Sequence, residues 1–176
     1  MDVNYLLIIS TSAGLWSYNI GDTIKFTSID PYRIIVSGRI KHFLSAFGEH
    51  VISEEVEKAM EAATKLHNVA IREFTVAPNI NPIDMLPHHE WYIEFENFPE
   101  AMSAFTKSLD NEMINQNIYY KYLIDGKILK SLEVISVERG GFNNYMKSVG
   151  RLGGQNKVPR LSNDRKIANK LKTINA

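Results

Sequence analysis

Tyr5-Leu-Leu-Ile-Ile-Ser-Thr-Ser-Ala-Gly-Leu-Trp-Ser-Tyr-Asn-Ile-Gly-Asp22 decides how the first part of the chain folds. Its opening segment, 5–11, is a continuous apolar and partly β-branched run that ends at a Ser-Ala-Gly turn, which predicts a strand buried on both faces. A second strand is expected through Trp16, Tyr18 and Ile20, whose side chains share one face. We therefore expect a small β unit at the start of the chain.

A glycine turn holds the first candidate site residue. Gly21-Asp22 is expected to interrupt the second strand, which resumes over Thr23–Phe26. A carboxylate at such a turn can accept two hydrogen bonds from a vicinal diol, as acidic residues do from nucleotide riboses. It can equally bond to its own backbone, as turn aspartates commonly do.

The β unit is expected to end at Gly38-Arg39. Asp30-Pro31 predicts a turn before a strand over Arg33–Val36, and Gly38 follows this strand directly. A glycine there can absorb a large dihedral change, and an arginine beside it can contact phosphate or ribose. A Gly-Arg pair taken alone indicates little.

The pattern changes from Gly48 onward. Ser53 can cap a helix whose apolar residues repeat at helical spacing as far as Leu66. The elements expected after it are strands over Val69–Val76 and Glu90–Phe95, a helix opened by Pro99, a strand over Ile128–Val137 and a short helix over Phe142–Val149. This order predicts an α+β fold, in which a small β unit is followed by a domain of mostly antiparallel sheet flanked by helices.

Composition limits the class of protein. The 176 residues carry 20 basic and 20 acidic side chains, so no overall field attracts nucleic acid or an anionic membrane. Cysteine is absent, which excludes disulfides and thiolate metal sites and fits a reducing cytosol. No stretch approaches the ~20 apolar residues of a membrane helix, and no secretory signal is visible. We expect a cytoplasmic protein with neither nucleic acid nor membrane as a partner.

Lys157 is the second candidate site residue. It follows Gly153-Gly154, which permit the loop to move, and precedes Pro159, which biases Val158 toward an extended conformation. A lysine on such a loop can neutralise charge that develops on a phosphate or carboxylate in a transition state. A lysine taken singly is more often a solvated surface residue. The basic residues around and beyond it predict a solvated terminal helix: Arg160, Arg165, Lys166, Lys170 and Lys172.

His88-His89-Glu90 raises the question of a metal site. Successive side chains of a strand point to opposite faces, so His88 and Glu90 could share an ion, whereas His88 and His89 could not. No third ligand follows at a suitable spacing, and zinc usually has three or four protein ligands. We therefore predict no metal site in this chain.

The amino-acid sequence resembles that of a known family. The segment 5–22 is similar to the acyl-acid amido synthetases related to plant auxin- and jasmonate-conjugating enzymes, the auxin-responsive family within the adenylate-forming superfamily. Three later motifs recur in the family's order: Leu109-Asp110 with Asn117 and Tyr120, Gly140-Gly-Phe142, and Gly154-Gln-Asn-Lys-Val-Pro-Arg160. The resemblance covers essentially the whole chain.

The resemblance implies a two-step ligase. ATP and Mg²⁺ would activate a carboxylic acid as acyl-AMP, and the amine of an amino acid would then displace AMP to form an amide. Asp22 would hold the ribose hydroxyls, with Tyr18 in the wall beside the nucleotide. Gly38 and Arg39 would form the hinge, Arg39 could also bind the nucleotide, and Lys157 would be the catalytic lysine of the mobile domain.

The resemblance also implies that the chain is part of a larger enzyme. Residues 1–50 would be the end of the large domain including the hinge, and residues 51–176 the mobile C-terminal cap. The phosphate loop and the acid pocket belong to the family's N-terminal domain, so we expect the chain to need that domain as its partner and to be inactive alone. Where the family often has an acidic-Lys pair, this chain has Glu49-His50. Two alternatives remain open: a non-catalytic module that binds nucleotide or protein, and a remnant without a function.

Overall fold

The computed structural model describes residues 3–39, 43–151, 153 and 156–174. Its first part is a three-stranded antiparallel sheet in the order β1-β2-β3. The strands of this β unit are β1 (Tyr5–Ile9), β2 (Tyr18–Ile29) and β3 (Tyr32–Arg39). The predicted turn at Asp30-Pro31 joins β2 to β3. The small β unit expected from the sequence is therefore confirmed.

Gly21 does not end a strand, which corrects the predicted turn. β2 runs unbroken through Gly21 and Asp22, and the two extra residues that it needs appear as a bulge between the pairs Leu6–Thr23 and Ile8–Asn19. Gly21 has φ of 84° there, a left-handed conformation that favours glycine, and its N–H donates to Asn19 Oδ1 at 2.8 Å. Trp16, expected within this strand, lies outside it and is 86% exposed.

β1 was expected to be buried on both faces, and this is wrong in the described structure. Tyr5, Leu6 and Ile8 are each about half exposed, because β1 pairs only with β2 and no described layer covers its faces. Ile24 is the one large apolar residue within the described segment 3–39 that is fully buried. The β unit thus presents an apolar surface larger than it can bury by itself.

The second part of the chain is an α+β unit. Its elements are β4 (Phe43–Leu44), β5 (Val51–Ile52), α1 (Ser53–His67), β6 (Ile71–Asn79), β7 (His88–Phe95), α2 (Met102–Gln116), α3 (Ile118–Asp125), β8 (Glu133–Ser136) and α4 (Gly141–Ser148). β6 and β7 pair antiparallel, and β7 and β8 pair parallel. Four of the five strand pairings in the described structure are antiparallel, so the predicted α+β class is confirmed. None of the described helices is long and apolar enough to cross a membrane.

The sheet β6-β7-β8 lies between two layers. One face packs against α1, α2 and α3 around Trp91, Ile93 and Phe105, which are fully buried. The other face packs against α4 and the C-terminal segment around Phe142 and Val158. β7 is the middle strand, and all eight of its residues are buried.

Two details of the first helix differ from expectation. Ser53 is the first helical residue and not the cap, since Ile52 occupies the N-cap position and its N–H donates to the Glu55 carboxylate at 3.0 Å. Leu66 is 72% exposed, although it fits the apolar spacing.

A helix, α3, also covers the aromatic stretch Tyr119–Tyr122, where no element was expected. The Asn117 side chain caps this helix by accepting a hydrogen bond from Tyr120 N–H.

The segment before α1 is part of the core of the second unit. Leu44 and Val51 are fully buried in the cluster that holds Trp91, and Glu49 is also fully buried. Glu49 Oε1 lies 2.9 Å from His89 Nε2, and Glu49 Oε2 accepts a hydrogen bond from Phe47 N–H. Glu49 therefore has a structural partner inside the fold.

The C-terminal segment is not the solvated helix that its basic residues predicted. Within the described residues 156–174, a short 3-10 helix over Ala168–Lys170 is the only helix, and Ile167, Ala168 and Leu171 are buried against the sheet. Arg165 bonds to the buried Glu90 at 2.6 Å. Apolar residues between the basic ones draw the segment onto the sheet, and this spacing does not follow a helical period.

Glu49→Gln should lower the free energy of unfolding at neutral pH and should make that free energy depend less on pH in the acid range. Burial raises the pKa of the Glu49 carboxyl, but the hydrogen bond and charge of His89 and the backbone N–H groups lower it more, so the net pKa lies below its ordinary value. Such a group adds stability above its unfolded pKa, and this stability is lost as the pH falls through the folded-state pKa. We expect a loss of about 1–3 kcal/mol at pH 7, measured by urea unfolding between pH 3 and pH 7. The exposed Glu61→Gln on α1 is the control; an equal effect of both variants would contradict the role of the buried pair.

Candidate functional site

Lys157 lines the cavity that we take as the candidate site. The cavity has a volume of about 410 Å³ and lies among the start of β6, the end of β7, α4 and the loop after α4. Its lining includes three basic side chains, Arg72, Arg151 and Lys157, and two carboxylates, Glu73 and Glu94. Of these five residues, Lys157 alone was predicted from the sequence; the two arginines lie elsewhere in the chain and carry no local motif.

Both carboxylates of the cavity are engaged by neighbouring groups. Glu73 bonds to the Arg160 guanidinium. Glu94 is buried, and its Oε1 accepts a hydrogen bond from Gly140 N–H at 2.7 Å. Arg72 forms an ion pair with Glu96 at 2.7 Å, whereas Lys157 has no ionic partner among the residues that the structure describes. Lys157 is therefore a cation of this cavity that no described carboxylate neutralises by an ion pair, while Arg72 is paired with Glu96.

The loop that carries Lys157 is anchored directly after the lysine. Val158 is buried, and Pro159 O accepts a hydrogen bond from Thr75 Oγ1 at 2.7 Å. The backbone then bonds alongside β6, with Val76 N–H donating to Arg160 O at 2.8 Å. Lys157 itself is exposed. The Lys157 side chain thus extends from a backbone that is bonded to β6 on its C-terminal side. On its N-terminal side lies the pair Gly153-Gly154, of which Gly154 is outside the described residues.

The start of α4 forms one wall of the cavity. Gly140 has φ of 79°, which favours glycine, and a Cβ on Gly141 would lie 2.5 Å from Val137 Cγ1. The two glycines allow the helix to begin tightly against Val137, the residue after β8. Glu94 then faces the first turn of α4, where a carboxylate is favourable because of the free N–H groups and the helix dipole. The motif Gly140-Gly-Phe142 therefore has a structural reason.

The predicted nucleotide residues lie in the β unit. Tyr18 begins β2 and is 50% exposed. Asp22 lies in the same strand opposite Arg39 of β3, and its side chain is half-buried. The Arg39 side chain is outside the described residues. Asp22 and Arg39 are thus neighbours across a strand pair, as a shared role would require.

Gly38 lies at the contact between the two parts of the chain. It pairs with Thr23 across β2 and β3, and it lines a shallow cavity of about 400 Å³ with Ser53, Glu54 and Glu57 of α1. An ion pair between Lys25 and Glu54 at 3.5 Å crosses the same contact. The predicted hinge therefore lies next to a polar contact.

The structure does not bring all predicted site residues together. Neither Tyr18 nor Asp22 lines the cavity of Lys157. The residues group as Asp22 with Gly38 and Arg39 at one place and Lys157 at another. Their separation means that a joint site would require the two parts of the chain to take another relative position.

Arg160→Ala should loosen the anchor of the Lys157 loop. The guanidinium bonds to Glu73 and to Phe74 O at 3.1 Å, and it lies 4.5 Å from the centre of the Phe74 ring. We expect the free energy of unfolding to fall by about 1–3 kcal/mol, since charge-assisted hydrogen bonds and a cation–π contact are lost. Urea unfolding measures it, with the exposed Arg139→Ala as the control. Equal stability of Arg160→Ala and the control would show that the Arg160 contacts with Glu73 and Phe74 do not anchor the loop.

Comparison with known proteins places this geometry in a family. The model of the GH3 family central domain matches residues 1–39, and the model of the GH3 family C-terminal domain matches residues 54–166. A search of curated protein sequences found no match.

Solved structures agree with the family models on the fold. A structure of GH3.15 acyl acid amido synthetase has a TM-score of 0.74 and 21% identity, over 99% of this chain and 35% of its own. A structure of AtGH3.15 acyl acid amido synthetase in complex with 2,4-DB has a TM-score of 0.73 and 20% identity, over 98% of this chain and 33% of its own. The chain spans about a third of the length of these structures. The resemblance seen in the sequence is thereby confirmed: this chain belongs to the GH3 family, with a match to its central domain followed by a match to its C-terminal domain.

Proposed function

We propose that this chain is the C-terminal part of an ATP-dependent acid–amido synthetase. The observation that carries the proposal is the cavity in which Lys157 is exposed, without an ionic partner in the described structure, inside a domain that matches the GH3 family C-terminal domain. In the reaction, a carboxylate oxygen of the acid bonds to the α-phosphorus of ATP and pyrophosphate leaves. An amino acid amine then bonds to the acyl carbon and AMP leaves, with the amine proton passing to solvent or base.

Lys157 would act in the first step. Negative charge shifts toward the leaving pyrophosphate in that transition state, and a cation placed there lowers its energy. Lys157 and Arg151 fit the phosphates because both are exposed and line one cavity. The cavity does not fit Mg²⁺, because its two carboxylates, Glu73 and Glu94, are already engaged by Arg160 and by α4. Any Mg²⁺ would bind to the nucleotide and to groups beyond this cavity.

Asp22 and the Gly38-Arg39 pair would act in the β unit, on strands β2 and β3. A carboxylate in β2 can accept both ribose hydroxyls, and Arg39 lies opposite it in the strand register. Gly38 would absorb the dihedral change when the C-terminal unit moves, which brings Lys157 to the nucleotide for adenylation and away for amide formation. This accounts for why the structure shows the two groups of residues apart.

The moving unit would begin before α1. Leu44, Glu49 and Val51 are buried in the core of the second unit, and Glu49 bonds to His89 of its middle strand. We therefore propose that the boundary between the two domains lies before Leu44 and not, as expected from the sequence, after residue 50. The exposed apolar surface of the β unit would then pack against the remainder of the central domain.

Lys157→Ala tests the proposed role in catalysis. In the complete polypeptide that contains this chain, we expect acid-dependent ATP–pyrophosphate exchange to fall by roughly 10²–10³-fold in kcat, the usual cost of removing one stabilising donor. The KM for the acid should change little, because Lys157 would contact the transferring phosphates alone. Lys147→Ala on α4 is exposed like Lys157 and serves as the control. Equal activities of the two variants would contradict the proposal.

Asp22→Ala tests the ribose site separately. We expect the KM for ATP to rise at least about tenfold, since two hydrogen bonds to the ribose are lost. Asp30→Ala, in the turn after β2, is the matched control. Calorimetric titration of the isolated chain with ATP gives a second readout: the proposal expects weak binding, and submicromolar binding by the isolated chain would instead support an independent nucleotide-binding module.

A further inference from the structure

Three metal-ligating side chains meet at the amino end of β7. His88 and Glu90 are two residues apart on the same face of the strand, and Glu133 lies opposite Glu90 on β8. His88 Nε2 is 3.2 Å from Glu133 Oε2 and 3.7 Å from Glu90 Oε1, and the three ligand atoms all lie within 4.8 Å of one another. Sequence spacing indicated the first two ligands but not Glu133, because the parallel pairing of β7 with β8 is a tertiary contact.

The His88 ring is oriented for binding a cation. Its side chain is 1% exposed, and its Nδ1 lies 3.1 Å from Leu86 O. A carbonyl oxygen only accepts, so Nδ1 carries the hydrogen and a neutral ring has its lone pair at Nε2. This Nε2 makes no hydrogen bond in the described structure. A buried lone pair 3.2 and 3.7 Å from two carboxylate oxygens is unfavourable unless a proton or a metal cation lies between them.

Neighbouring groups hold both carboxylates in position. Arg165 and Tyr92 bond to Glu90 Oε2 at 2.6 Å each. Asn79 Nδ2 donates at 2.8 Å to Glu90 Oε1, the proposed ligand oxygen, which keeps a second lone pair for an ion. Lys130 bonds to Glu133 Oε1. These contacts fix both carboxylates and leave Glu133 Oε2 and Glu90 Oε1 facing His88. Outer contacts of this kind, together with a ligating histidine that donates to a backbone carbonyl, are typical of metal sites in proteins.

We propose that His88, Glu90 and Glu133 form a binding site for a zinc-type divalent cation. Four ligands at 2.0–2.1 Å around such an ion lie about 3.3 Å apart. Nε2 lies 3.2 Å from Glu133 Oε2 and 3.7 Å from Glu90 Oε1, so a small movement of Glu90 completes this geometry. Glu133 is 42% exposed, so the ion can enter on that side and a water molecule can complete its coordination. The bound ion would join β7 to β8. This site is separate from the cavity of Lys157 and does not depend on the proposed ligase activity.

Calorimetric titration of the chain with ZnCl₂ at pH 7 tests the proposal. We expect one ion per chain, with binding weakened at least ~10-fold in Glu133→Gln and in His88→Gln. Glu133→Gln is the main variant, because its half-exposed side chain can change without disturbing the core. His67→Gln, at the end of α1, is the control and should bind as the unchanged chain does. MgCl₂ should give no comparable heat, since Mg²⁺ prefers oxygen ligands in octahedral geometry.

A second measurement locates the ion directly. Long-range ¹H–¹⁵N spectra should show a ring with hydrogen on Nδ1 alone, and a large shift of Nε2 when Zn²⁺ is added. The proposal is overturned by a His88 ring that carries hydrogen on both nitrogens and is unchanged by Zn²⁺, because a proton would then join the carboxylates. Equal zinc affinity in Glu133→Gln and the unchanged chain would overturn it as well, as would the absence of binding at millimolar zinc.

Discussion

Burial of every residue of β7 is the constraint on which the rest of the second unit depends. Its odd-numbered residues face the helices, and Trp91 and Ile93 form the centre of that core. Its even-numbered residues include His88, Glu90 and Glu94, and a buried charge is stable only with partners. Burial raises the pKa of Glu90, but hydrogen bonds from Tyr92, Arg165 and Asn79 lower it more, so its net pKa is below the ordinary value and the carboxylate is charged at neutral pH.

The partners of β7 determine where the other segments lie. Glu90 holds Arg165 and with it the C-terminal segment, and Glu94 holds the start of α4. On the opposite face, His89 bonds to Glu49 and so attaches the segment before α1. Each of these contacts joins β7 to a segment distant in sequence. The C-terminal unit is therefore held as one body by polar contacts to its middle strand in addition to its apolar core.

The order of most helices and strands could be predicted from the sequence, because local apolar periods and turn residues report it; α3 and the short strands β4 and β5 were missed. The partners of β7 could not be predicted. In the sequence, Glu49 was notable only as part of Glu49-His50, where the family often has an acidic-Lys pair, and Arg165 was expected on a solvated helix. Neighbouring residues in sequence do not show that a charged side chain will bond to a buried one. Exposure of β1 was missed for a similar reason: an apolar run shows what a strand can bury, while the layer that covers it is set by distant parts of a protein. Lys157 was recognised through its motif, whereas Arg72 and Arg151 required the fold.

The two proposed sites lie at opposite ends of the same strand and can act independently. His88 opens β7, and Glu94, beside Lys157's cavity, lies six residues later. At about 3.3 Å per residue, these positions are roughly 20 Å apart. No residue of the His88–Glu90–Glu133 cluster lines the Lys157 cavity. Substitutions this far apart with no shared partner usually have additive effects. A change at Glu133 should therefore leave the Lys157 cavity unaltered, and a change at Lys157 should leave the His88–Glu90–Glu133 cluster unaltered, although one buried strand supports both.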